Sequence, residues 1–115
     1  MISEPPDFER WDVAVAMFPF TSSDQQKPRP VLVLSKAAFN REHGHVVAAM
    51  ITTAAETQWP SDLRIADFIA CGLRHPSVVR WKLFTLPQAL VPRRIGALSD
   101  ADKETMKAGF AAIFL

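Results

Sequence analysis

Five side chains have the types that phosphodiester chemistry requires: Arg29, Thr52, Thr53, Arg80 and Lys82. Cations and hydroxyl donors meet negatively charged oxygens, and they matter most where negative charge grows during a reaction. Each also has an ordinary reading. Arg29 suits a surface turn, Thr52 and Thr53 are strand formers, and Arg80 and Lys82 suit a solvated strand face. Other chemistries are poorly served. His43 and His45 stand two apart with no third ligand nearby, and no His-Glu-x-x-His pattern occurs, so no metal site is expected. There is no Gly-x-Ser-x-Gly, and Cys71 sits in the apolar Ile69-Ala70-Cys71-Gly72, which predicts a buried, inert thiol. None of the four glycines belongs to a phosphate-cradling loop.

The elements that must hold these residues are short. Lys27-Pro28-Arg29-Pro30-Val31-Leu32-Val33-Leu34-Ser35 is the organising stretch. Its two prolines fix φ and push the residues before them into extended geometry, so Arg29 stands at the mouth of a strand over Pro30–Ser35. The unbroken run Val31–Leu34 predicts a strand covered on both faces. Trp11–Phe18 reads as the first strand, with Val13, Val15 and Met17 on one side and Ala14 and Ala16 on the other. His45–Thr53 is a third strand that ends in the two threonines. Leu63-Arg64-Ile65 is a short strand. Ser77–Leu83 alternates, setting Val79, Trp81 and Leu83 against Val78, Arg80 and Lys82. Ala89–Leu98 is a further short strand or turn-strand with Arg93 and Arg94.

Phe20–Pro28 and Ala54–Ser61 are polar loops able to cover a site. Lys36–Gly44 has room for one helical turn with Gly44 as its stop, and Asp67–Leu73 for a turn or short helix. Ser99 is a natural N-cap for a terminal helix, with Asp102 three residues on. Met106, Phe110, Ile113 and Phe114 share one apolar face of it. The pattern predicts a mostly β chain with a C-terminal helix, forming a small antiparallel barrel with helices outside.

With 115 residues and 49% apolar content the chain makes one core-bearing domain. Residues 1–10, acidic and broken by Pro5 and Pro6, are expected to be a flexible arm, and 11–115 the domain. The start is not a signal peptide, and no apolar run reaches the roughly eighteen residues of a membrane span. One cysteine excludes an internal disulfide and fits a cytoplasmic setting. A net charge of +1 sets no global field, so an anion site depends on local placement of cations.

Taken in order, the blocks resemble the MazF/PemK (Kid) family of type II toxins, the mRNA interferases. The matching residues are Trp11-Asp12-Val13, Phe18-Pro19-Phe20-Thr21, Lys27 to Ser35, Val47-Ala48-Ala49-Met50-Ile51-Thr52-Thr53, Gly72 to Arg80, Lys82 to Leu86 and Arg94 to Ser99. The likeness runs over nearly the whole chain from Trp11. It implies a small SH3-like barrel of the CcdB/MazF type and a homodimer. It also implies metal-independent, cofactor-free cleavage of single-stranded RNA, with a cognate antitoxin that blocks the RNA groove. Arg29 matches the family's catalytic arginine and Thr52 its active-site hydroxyl, with Thr53 beside it. Arg80 resembles an arginine that some members carry on the later strand. In those members an aspartate follows two positions on; here Lys82 stands there, so the proton-transfer group must come from elsewhere. Asp24 resembles an acidic loop residue of some members. Asp24, Glu56 and a histidine are the candidates for a general base, and Phe20 and Trp59 for stacking on bases. The alternative is a non-catalytic nucleic-acid or protein-binding module of the same fold, including gyrase inhibition of the CcdB kind.

Overall fold

The structure, a computed structural model, describes residues 7–19, 26–56 and 58–115. Six strands form one curled antiparallel sheet, with a helix at the C-terminus. The strands are β1 (Asp12–Pro19), β2 (Gln26–Val33), β3 (His45–Thr53), β4 (Leu63–Arg64), β5 (Ser77–Pro87) and β6 (Arg93–Ala97). Their order across the sheet is β4-β5-β3-β2-β1-β6. Helix α1 (Ala37–His43) lies between β2 and β3, and α2 (Asp100–Phe114) ends the chain.

The sheet carries apolar clusters on both faces, which is why Val31–Leu34 is apolar without alternation. Leu32 and Leu34 join Val13, Ile51, Val79, Trp81 and Met106 in one cluster. Val31 and Val33 join Phe8, Ala14, Ala16, Val46 and Leu86 in the other. Phe8 lies within the expected arm, yet it is fully buried, and its carbonyl accepts a 2.9 Å bond from Asn40. Cys71 is buried as expected. Burial, with Asp102 and Asp67 nearby, pushes its thiol up to about 11, so it is inert at neutral pH.

Local signals account for the helix ends. Gly44 closes α1 at φ 62°, a left-handed value that glycine adopts freely. Ser99 caps α2 by accepting from the Asp102 N–H. The apolar face of α2 is covered only in part: Met106 is fully buried, while Ile113 and Phe114 are 45% and 47% exposed.

Two expectations about the strands also change. Strand β2 starts at Gln26 rather than Pro30, because β1 pairs with it as far as Pro19↔Gln26. The alternation across Ser77–Leu83 breaks after Arg80. Met50 pairs with Arg80 and Ala49 with Leu83, so Trp81 and Lys82 form a bulge. Val78 is buried as well as Val79, and Leu83 is exposed.

Candidate active site

The sheet opens between β2 and β3, and the two prolines explain why. The Val33 carbonyl accepts from Trp11, on the β1 side, whereas the Leu34 N–H donates to Val47 of β3. Alternation then aims the backbone of Leu32, Pro30 and Pro28 toward β3. Proline has no N–H to donate. Pairing of β2 with β3 accordingly runs only from Val33↔Ala48 to Val31↔Met50. Two residues further along each strand, the same register would set Arg29 opposite Thr52. The strands part there instead, and a cavity of about 600 Å³ occupies the notch.

Arg29, Thr52, Thr53 and Arg80 all line this notch. They come from three strands: the start of β2, the end of β3 and the first half of β5. Gln58, Arg74, His75 and Ser77 complete its polar lining. No acidic residue lines it among the described residues. Lys82 does not line it, because the β5 bulge carries its side chain into solvent, 5.9 Å from the Phe84 ring. Asp24 and Phe20 lie outside the described residues, as does the Glu56 side chain. Of the three histidines only His75 lines the notch; His43 packs on Phe39, and His45 bonds to the His43 carbonyl.

Segment 66–75 carries Arg74 and His75, and it is fixed at both ends. The buried Asp102 carboxylate accepts 2.9 Å bonds from the N–H groups of Ala66 and Asp67. Asp102 thus holds the segment as well as completing the cap of α2. At the other end the backbone presses against β6. Gly72 has φ 77°, and a Cβ there would stand 2.2 Å from the Ile95 carbonyl oxygen. A Cβ on Gly96 would meet the Cys71 carbonyl at 2.5 Å. Only glycine permits this approach, and the approach sets where Arg74 and His75 emerge.

Arg80 is clamped. Its Nε and Nη2 donate to the two carboxylate oxygens of Asp62 at 3.1 and 2.8 Å. The Arg80 side chain is 12% exposed and that of Asp62 is 0% exposed. Trp59 lies 5.5 Å from the guanidinium. The Arg80 bond is the main reason the Asp62 carboxyl is held below the usual carboxylate range, with the Trp59 and Gln58 N–H groups adding to it against burial. A carboxylate so engaged orients Arg80 and is a poor proton acceptor.

Asp62, Arg74 and Gln58 had no part in the expected site, and His75 entered it only as one of three histidines that could serve as a base. Asp62 meets Arg80 across 18 residues of sequence, and no local pattern marks such a contact. Arg74 and His75 did carry a signal. Arg74-His75-Pro76 sets charge and proline just ahead of a strand, the same punctuation that singles out Arg29.

The family model described as PemK-like, MazF-like toxin of type II toxin-antitoxin system matches residues 9–114. The fold is similar to that of the Mycobacterium tuberculosis toxin MazF-mt6, at 27% identity and TM-score 0.67 over 90% of this chain and 95% of that one. It is similar to an endoribonuclease in complex with its cognate antitoxin from a mycobacterial species, at 19% identity and TM-score 0.70 over 92% and 91%. A MazE–MazF structure (Form-III) from Deinococcus radiodurans is similar at 15% identity and TM-score 0.72 over 94% and 97%. These last two likenesses concern the fold alone. No curated protein matches by sequence.

Proposed function

The chain belongs to the PemK-like, MazF-like toxins of type II toxin-antitoxin systems, and from that premise we propose that it is a sequence-specific endoribonuclease acting on single-stranded RNA. The observation that carries the proposal is the convergence of Arg29, Thr52 and Arg80 on one notch. In this reading the ribose 2′-oxygen attacks the adjacent phosphorus and forms a 2′,3′-cyclic phosphate. The bond from phosphorus to the 5′-oxygen breaks, and that oxygen takes a proton from water. Arg29 neutralises the charge that gathers on the non-bridging oxygens, and Thr52 donates a hydrogen bond that strengthens as the charge grows. Arg80, held by Asp62, and Thr53 bind the substrate. DNA lacks the attacking hydroxyl and stays whole.

Among the described residues that line the notch we take His75 as the base of this mechanism, because the arginines there hold their protons too tightly and no carboxylate lines it. Asp24 and the Glu56 side chain, the other candidates, lie outside the described residues. His75→Ala is expected to slow single-turnover cleavage about a hundredfold or more while RNA binding is kept. A wild-type rate in that variant would assign proton transfer to another group.

We read the curled sheet as an SH3-like barrel over residues 11–115, with an antitoxin as partner and a homodimer as the working unit. The exposed apolar end of α2 supports a second copy as its cover. The direct test is digestion of mixed RNA in EDTA. Discrete cuts leaving cyclic-phosphate and 5′-hydroxyl ends, absent with Arg29→Ala, are expected. Cuts that need metal or survive in that variant would contradict the proposal.

A further inference from the structure

The notch continues into a second cavity of about 430 Å³, and the two share Arg29, Pro30, Leu73 and Arg74 in their walls. The second runs across the front of β1 and β6, where Val15 and Ile95 line it and Arg93 closes its far side. The two adjacent arginines of β6 are divided. Arg94 bonds Asp12 at 2.7 Å and also donates to the Asp7 carbonyl, so it ties the start of the chain to the sheet. Arg93, one residue earlier on the strand, lines the cavity. Neither Arg74 nor Arg93 has a carboxylate partner among the described residues, and no acidic residue lines the second cavity among them.

A cavity bordered by three arginines raises the local potential well above what a net charge of +1 would suggest. We propose that this second cavity is a phosphate subsite, in which Arg93 and Arg74 hold the backbone phosphate of a nucleotide flanking the scissile bond. It extends the reading of the notch as an RNA-cleaving site and rests on it. Its task is to fix the register of the strand, so that the chosen phosphate falls between Arg29 and Thr52. The subsite binds backbone and reads no base.

The test is equilibrium binding of a single-stranded oligoribonucleotide, made uncleavable by 2′-deoxy substitution at the cut, over a range of salt concentrations. Wild type is compared with Arg93→Ala, Arg93→Lys and Arg41→Ala. Arg41 pairs with Asp7 on the exposed surface of α1, away from both cavities, and controls for loss of one positive charge. Arg93→Ala is expected to weaken binding several-fold and to make the plot of log K against log salt shallower by about 0.7, the value for one phosphate contact on a single strand. Arg93→Lys keeps the slope, and Arg41→Ala behaves as wild type. Trimming the strand from one end abolishes the difference between wild type and Arg93→Ala. Equal slopes for wild type and Arg93→Ala, equal losses in Arg93→Ala and Arg41→Ala, or a difference that survives every trimming would overturn the subsite. Cleavage of the unmodified strand separates the two ideas. Intact cleavage with no Arg93 effect removes only the subsite, whereas Arg93-dependent binding without any cleavage removes only the nuclease reading.

Discussion

At the scale of residues, the site is a division of labour among arginines. Arg29 stands at the opened edge of β2, Arg80 is pinned by a covered aspartate, and Arg94 is structural. The Asp62–Arg80 pair has a pH signature. The carboxyl of Asp62 is lowered in the folded chain, so its contribution to stability is complete above the ordinary carboxylate value of about 3.9 and disappears as pH falls through the lowered value. Removing one partner of a covered ion pair leaves the other uncompensated, at a cost of about 3 kcal/mol. Chemical denaturation should therefore show Asp62→Ala less stable than wild type by about that amount at pH 7, with the gap closing below about pH 4. A gap independent of pH would mean that packing, not charge, is what Asp62 supplies. Arg29 and Thr52 were legible in sequence because proline spacing and a terminal hydroxyl pair mark them, whereas Arg80 was marked by its likeness to the family's later-strand arginine and alternation wrongly set it beside Lys82 on a solvated face. Asp62 was not legible, because its role exists only once a loop and a strand 18 residues apart have met.

At the scale of elements, proline and glycine shape the site. Pro28 and Pro30 deprive β2 of the donors that would zip it to β3, and the notch lies where the ladder stops. Gly72 and Gly96 let segment 66–75 press against β6 and deliver Arg74 and His75. The strands, the helix caps and the two-faced core were readable from periodicity and capping residues. The β5 bulge was not, since alternation over Ser77–Leu83 looks regular in sequence, and only the register against β3 shows two extra residues. That bulge separates Lys82 from Arg80, which is why their paired appearance in sequence misleads. Gly72→Ala tests the glycine contact. A left-handed residue with a Cβ costs about 1–2 kcal/mol, and the Ile95 carbonyl adds a clash. We expect a lower melting temperature together with loss of cleavage beyond what unfolding explains at the assay temperature. A variant that is destabilised but cleaves at full rate would show that segment 66–75 does not position the chemistry.

At the scale of the whole molecule, the curled sheet has two concave surfaces. One is the arginine-lined notch with its extension to Arg93. The other is apolar: Phe39, Leu83, Phe110, Phe114 and Leu115 line a depression of about 580 Å³ between α1 and α2. Family membership was legible from the order of blocks along the chain, but no sequence pattern shows that the last turn of α2 stays uncovered, because that depends on where the sheet ends beneath it. With a second copy as the cover, sedimentation should give a dimer at micromolar concentration for wild type and a monomer for Phe114→Glu; a wild-type monomer would remove the dimer from the account. The measurement that bears most directly on the central claim is single-turnover RNA cleavage by Arg29→Ala, Thr52→Val and the double variant. Each single change is predicted to slow the cut by roughly a hundredfold or more, about 3 kcal/mol of barrier. The double variant should be little slower than the worse single, as expected of two groups serving one phosphorus. Wild-type rates in both single variants would contradict the account.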